Sequence, residues 1–160
     1  MDPNDLDMVG RRPLPTKPVL PDVAAAAHRR GPADAVEARW RLPALTWQWR
    51  RERQEVLRPG GYPGIVDLIE AAGAERTLRQ LYPYNSHFAL HLSSCTRYPY
   101  VLRVPSVLPR YDGRFRAFVP RVGTLLGETD TAEAAVALVV AHLPAGLGPA
   151  VADSADGLRR

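Results

Sequence analysis

Cysteine is nearly absent from this 160-residue chain: Cys95 stands alone. No disulfide framework can therefore brace the fold, and one cysteine with four scattered histidines does not make a structural zinc site. No apolar run approaches the roughly 18 residues that a membrane helix needs. The longest, around Ala134–Leu143, is much shorter and is broken by His142. The N-terminus lacks the apolar core of a signal peptide and carries Asp2, Asp5 and Asp7 instead, which points to a cytoplasmic protein with no membrane partner.

Lysine is almost missing too. Of 21 basic residues only Lys17 is a lysine, beside abundant alanine, proline, glycine and leucine. The codon usage of a GC-rich genome produces such a bias, and an actinobacterium fits it. Part of the net charge of +4 is then inherited composition, and net charge alone says little about nucleic acid. What is present is ordinary for a globular protein: apolar residues make up 46% of a chain long enough for one domain with a real core.

Residues 1–21 hold Pro3, Pro13, Pro15, Pro18 and Pro21 and read as a disordered Pro-rich arm. Within it, Arg12-Pro13-Leu14-Pro15-Thr16-Lys17-Pro18 has the spacing of a polyproline-II ligand, although a plain Pro-rich tail has the same composition. Residues 22–58 read as a helical arm. Asp22 caps a helix ending at Arg30, Gly31-Pro32 interrupts it, and Ala33, Val36 and Trp40 mark one face of a second helix that Pro43 stops. Trp47 and Trp49 lead into a solvated helix, Arg50–Leu57. Trp40, Trp47 and Trp49 suit a ligand platform or, as is commoner, anchors that fix the arm to the domain. Arg58–Gly64 is a loop, and with no Lys-Ser/Thr after it and no strand before it, it is no phosphate cradle.

Residues 64–144 read as a helix-sheet-helix module. Ile65, Leu68, Ile69 and Ala72 give an amphipathic helix, Gly73 marks a kink or end, and Tyr82-Pro83-Tyr84-Asn85 is a break. Strands are expected at about 87–94, 99–108 and 114–120, the last two joined by an Asp112-Gly113 hairpin, with a short fourth at 122–126. Asp130-Thr131-Ala132-Glu133 is a capping box opening a final helix, Pro144 ends that helix, and residues 150–160 read as a flexible tail. The fold class is thus α+β: a single domain over 22–149, with a three- or four-stranded antiparallel sheet, a helix before and after it, and a helical N-terminal arm.

Alternation assigns the faces of the sheet. Phe88, Leu90, Leu92, Tyr100, Leu102, Val104, Phe115, Ala117 and Val119 are expected to face the helices. His87, His91, Ser93, Arg103, Arg114 and Arg116 are expected on the opposite face, near Arg97 and Arg110. Between Tyr82 and Arg121 six arginines stand against one acid, Asp112, which favours an anionic partner or is an ordinary solvated face in an Arg-rich chain.

The order of elements also fits double-stranded-RNA-binding domains in outline. Those need a basic start to the final helix, and Glu128–Glu133 is acidic, so a nucleic-acid partner is disfavoured. Catalytic constellations are thin. His87 and His91, four residues apart on a strand, stand about 13 Å from one another, too far for one metal. Cys95 could pair with either histidine as a thiolate, but a lone cysteine at a strand end is usually structural. Were the protein an enzyme, His87 and Ser86, with Tyr84 and Arg103 as anion or oxyanion donors, are the groups to test. His91, Arg103, Arg114 and Arg116 are the candidate ligand-binding residues, and neither a metal nor a cofactor is implied.

The stretch Leu78-Arg79-Gln80-Leu81-Tyr82-Pro83-Tyr84-Asn85-Ser86-His87-Phe88-Ala89-Leu90 resembles a family of unknown-function proteins of Streptomyces and relatives, whose pattern is Leu-Arg-x-Leu-Tyr-Pro-(Phe/Tyr)-x-Ser-His-aromatic. Arg30–Trp40 and Thr131–Pro149 resemble it as well. Phe88 stands where a tryptophan is commoner, and His91 where an arginine is. Members are described as natural-product biosynthesis proteins, so the resemblance implies a place in secondary metabolism but no mechanism. The expected function is an accessory protein of that metabolism, binding a protein partner or an anionic small molecule over the basic sheet. Alternatives are a small cyclase- or isomerase-like tailoring enzyme using His87 as acid/base, and a nucleic-acid-binding regulator.

Overall fold

The computed structural model describes residues 12–160, so the first part of the expected Pro-rich arm lies outside the described residues. Residues 12–21 carry no helix or strand. Helix α1 (Val23–Arg30) starts at Asp22, whose carboxylate accepts from the Ala25 N–H at 2.9 Å, and ends at Gly31. Helix α2 (Pro32–Leu57) follows, then α3 (Ile65–Ala74) and the single turn α4 (Arg76–Arg79). Strands β1 (Tyr82–Ser86), β2 (Ala89–Ser93), β3 (Ser106–Pro109), β4 (Phe115–Phe118) and β5 (Leu125–Thr129) form one antiparallel meander in chain order. Helices α5 (Ala132–Ala141) and α6 (Ala155–Leu158) close the chain. The class is α+β, with helices before and after the sheet and an N-terminal helical region.

Four expectations are corrected. Pro43 does not stop its helix: α2 runs through it for 26 residues. Val36, Trp40, Pro43 and Trp47 fall at i, i+4, i+7 and i+11 and are all buried, so one continuous apolar stripe offsets the hydrogen bond that proline removes. Ala33, placed on that face by the sequence, is exposed, and Ala35 is buried instead. The Tyr-Pro-Tyr-Asn segment is not a break but the edge strand β1, where a proline costs no ladder bond on its outer side. Arg39 on α2 covers that edge, its Nε donating to the Pro83 carbonyl at 2.8 Å. The strand expected at 99–108 shrinks to Ser106–Pro109, because Pro99 and Pro105 lack the donors a ladder needs.

The core lies between the sheet and α2, α3 and α5. Ile65, Leu68 and Ile69 of α3 meet Leu90 and Leu92 of β2, Phe115 and Ala117 of β4, and Val136 and Val139 of α5. Helix α3 ends at Ala74, one residue past Gly73, where the sequence reads a kink or end. Trp40 anchors α2, its indole N–H shared by the carbonyls of Arg79 at 2.9 Å and Leu81 at 3.0 Å. Residues 150–160, expected as a flexible tail, are tied back: Val151 accepts from Thr96 and donates to Ser94, and Ala155 is buried. That segment and residues 94–104 cover part of the sheet's far face. Ser93 is accordingly fully buried there, its hydroxyl donating to the Cys95 carbonyl at 2.7 Å.

Candidate functional site

The β1–β2 hairpin separates residues that alternation placed together. Ser86 pairs with Ala89, which leaves His87 and Phe88 as a two-residue turn, with His87 in the left-handed region at φ 55°. His87 is therefore an exposed turn residue, not a member of the strand face that carries His91. Ser86 beside it is also exposed.

Tyr84 and His91 pair across β1 and β2 on the far face, their rings stacked at 5.0 Å. Tyr100, expected among the helices, lies over this face instead, 4.5 Å from Tyr84. His91 Nδ1 stands 2.6 Å from Ser106 Oγ, and burial pushes the imidazole's pKa down, toward the neutral form. Burial likewise pushes the Tyr84 phenol up, which keeps it protonated. Ser106 is almost wholly buried, so this histidine–serine contact offers no accessible nucleophile. The structure thus brings Tyr84 to His91 and not to His87.

The arginine cluster is largely satisfied from within. Glu128 of β5, opposite Arg116 in the ladder, accepts from Arg116 at 2.8 Å and pairs with Arg110 and Arg114 at 3.4 Å. The hydrogen bond from Arg116 and the charges of all three hold the Glu128 carboxyl below the usual carboxylate range. Asp130 takes a second contact from Arg114 at 3.1 Å, and Arg97 pairs with Asp153 at 3.6 Å. Glu128 and Asp130, which the sequence placed at the start of the final helix, are with Asp112 the acids that answer Arg110, Arg114 and Arg116. Arg103 is exposed and has no ion pair among the described residues.

At the turn end of the hairpin the surface differs. Phe88, expected in the core, sits half-buried at the hub of an aromatic cluster: its ring lies 5.1 Å from Trp47, 5.9 Å from Tyr62 and 5.9 Å from Tyr111. The Arg50 guanidinium stacks 4.9 Å over Trp47. These rings wall an open groove of about 660 Å³, completed by Trp49, Arg53, Gln54, Leu57 and His87, and no Asp or Glu among the described residues lines it. Neither Arg50 nor Arg53 pairs with a carboxylate among the described residues. Burial pushes the Tyr62 phenol up, so it stays neutral.

Three anchors hold this end. Trp47 Nε1 donates to Asn85 Oδ1 at 3.1 Å, Asn85 donates to the Ala89 carbonyl at 3.2 Å, and Trp49 Nε1 donates to the Pro15 carbonyl at 3.1 Å. The tryptophans are anchors, and two of them are groove walls as well. Chemically the arrangement suits a flat ring bearing an anionic group. His87 has no carboxylate or thiol beside it in the lining, and no cluster of three metal-ligating side chains exists among the described residues. No helix of the described residues is long and apolar enough to cross a membrane.

Residues 34–154 match a family described as of unknown function (DUF6193). No curated protein and no solved structure matches the chain.

Proposed function

The chain belongs to this family of unknown function, and we propose that it is a binding module whose ligand is a flat, anionic small molecule held in the groove between α2 and the β1–β2 turn. One observation carries the reading: among the described residues, five aromatic rings and two arginines without carboxylate partners converge on a groove with no acid in its lining. Ring stacking supplies on the order of 1 kcal/mol per pair beyond area burial. The guanidiniums add the charge that selects an anion. The proposal keeps the expected anionic ligand and moves it from the sheet face, where Glu128 answers the arginines, to the groove. We further propose the role of an accessory protein in actinobacterial natural-product biosynthesis.

A fluorescent aromatic anion, 8-anilinonaphthalene-1-sulfonate, tests this. Saturable one-site binding is expected, weakened about tenfold or more by the Arg50→Ala/Arg53→Ala double substitution, since two charge-assisted contacts are lost. Arg114→Ala/Arg116→Ala should leave it unchanged. The reverse pattern would return the ligand to the sheet face.

A second reading has one observation in its favour: His87 lines the groove with an accessible imidazole. A tailoring enzyme using His87 as acid/base should lose turnover on His87→Ala while retaining ligand affinity. Unchanged product formation by that variant in the producing strain would remove the enzymatic reading.

A further inference from the structure

Trp49 joins the groove to the N-terminal arm. Its ring lines the groove, while its indole N–H is held by the Pro15 carbonyl at 3.1 Å and the Lys17 ammonium stands 6.0 Å from its centroid. Pro13, Pro15, Pro18 and Pro21 fix φ along this segment. A stiff extended segment loses little entropy on docking, and a Trp N–H donating to a carbonyl of a Pro-rich stretch is how aromatic grooves grip polyproline-II chains.

Lys17 is the informative residue. It is the sole lysine in a chain whose other basic residues are all arginines. At 6.0 Å its ammonium is at the outer limit of a cation–π contact, and it pairs with no carboxylate among the described residues. A guanidinium there would lie flat on the indole and stay. An ammonium on a flexible four-carbon stem is free to leave the ring for a better partner. Arg53 follows Trp49 by four residues on α2, so it stands on the same helix face as the ring that Lys17 faces.

Resting on the groove reading above, we propose that residues Pro15–Pro18 form a strap that closes on the bound ligand, with Lys17 supplying a third cation beside Arg50 and Arg53 for its anionic end. The strap makes the site complete only when the arm is docked on Trp49. Trp49→Phe, which keeps an aromatic wall but lacks the N–H, should release the strap.

Because Lys17 is the only lysine, an amine-acetylating reagent modifies a single side chain besides the α-amino group. Acetylation of Lys17, followed by mass spectrometry, should slow in step with groove occupancy by 8-anilinonaphthalene-1-sulfonate, while that of the α-amino group stays constant. Lys17→Ala should weaken the probe about fivefold and flatten its salt dependence, the value of one exposed charge pair. Trp49→Phe should abolish the protection of Lys17. Saturable probe binding with unchanged Lys17 acetylation would overturn the strap and leave the groove reading standing. No saturable binding at all would overturn both.

Discussion

Glu128 shows how one residue can tie up much of a basic surface. Six arginines between Tyr82 and Arg121 make the sheet look basic, yet this carboxylate receives three of them, Arg110, Arg114 and Arg116. Its stabilising effect is present above the ordinary carboxyl value of 4.5 and is lost as pH falls through the lowered folded value. Glu128→Gln should therefore take from Arg116 its carboxylate partner, leave Arg110 and Arg114 only Asp112 and Asp130, and raise the salt needed to elute the protein from heparin; unchanged elution would mean the arginines are already free. His91 sets a second pH dependence. Burial lowers its pKa in the fold, so the unfolded chain takes up its proton first as pH drops through 6.5. Stability is full above that value and declines below it, and His91→Phe should remove that part of the slope in urea midpoints taken between about pH 7.5 and about pH 5.

At the scale of elements, α2 organises the site. Trp40 fixes it to α4 and β1, Trp47 to the β1–β2 hairpin and Trp49 to the arm. Trp40→Phe leaves two carbonyls without their donor and should cost about 2–4 kcal/mol in chemical denaturation. The loop before α3 is fitted as closely: a Cβ at Gly64 would stand 2.7 Å from the Phe115 ring, so Gly64→Ala should destabilise by about 1–3 kcal/mol. Helices α1, α3 and α5 were legible in the sequence, α1 and α5 from the cap signals at Asp22 and Asp130–Glu133 and α3 from its helical apolar period. The hairpin turn before β4 was legible from Asp112-Gly113. Helix α2 was read as two pieces because a local rule, proline breaks helices, was overridden by burial of Trp40, Pro43 and Trp47 on one stripe. Strand β1 was hidden for the same reason, since an edge position forgives Pro83.

For the molecule as a whole, the candidate site was legible only in fragments. Trp47, Arg50, Gln54 and Leu57 recur at i, i+3, i+7 and i+10, a helical face that a continuous α2 would have revealed. Tyr62, His87, Phe88 and Tyr111 join them only through the tertiary fold, and no local pattern announces that meeting. His87 is a surface group, but alternation gave it the wrong neighbours, because the turn occupies His87 and Phe88, where the strand was expected to begin. Part of the far face, expected to be basic and open, is instead an aromatic layer under residues 94–104 and the C-terminal segment.

The three indoles give the most direct test of where a ligand sits. In a nitrogen–proton correlation spectrum Trp40, Trp47 and Trp49 contribute separate indole N–H signals, and the probe 8-anilinonaphthalene-1-sulfonate can be titrated against all of them. The groove account predicts that Trp47 and Trp49 move together with a single saturation curve while Trp40, buried beneath α4 and β1, stays fixed. Saturable binding that leaves Trp47 and Trp49 unmoved would contradict it.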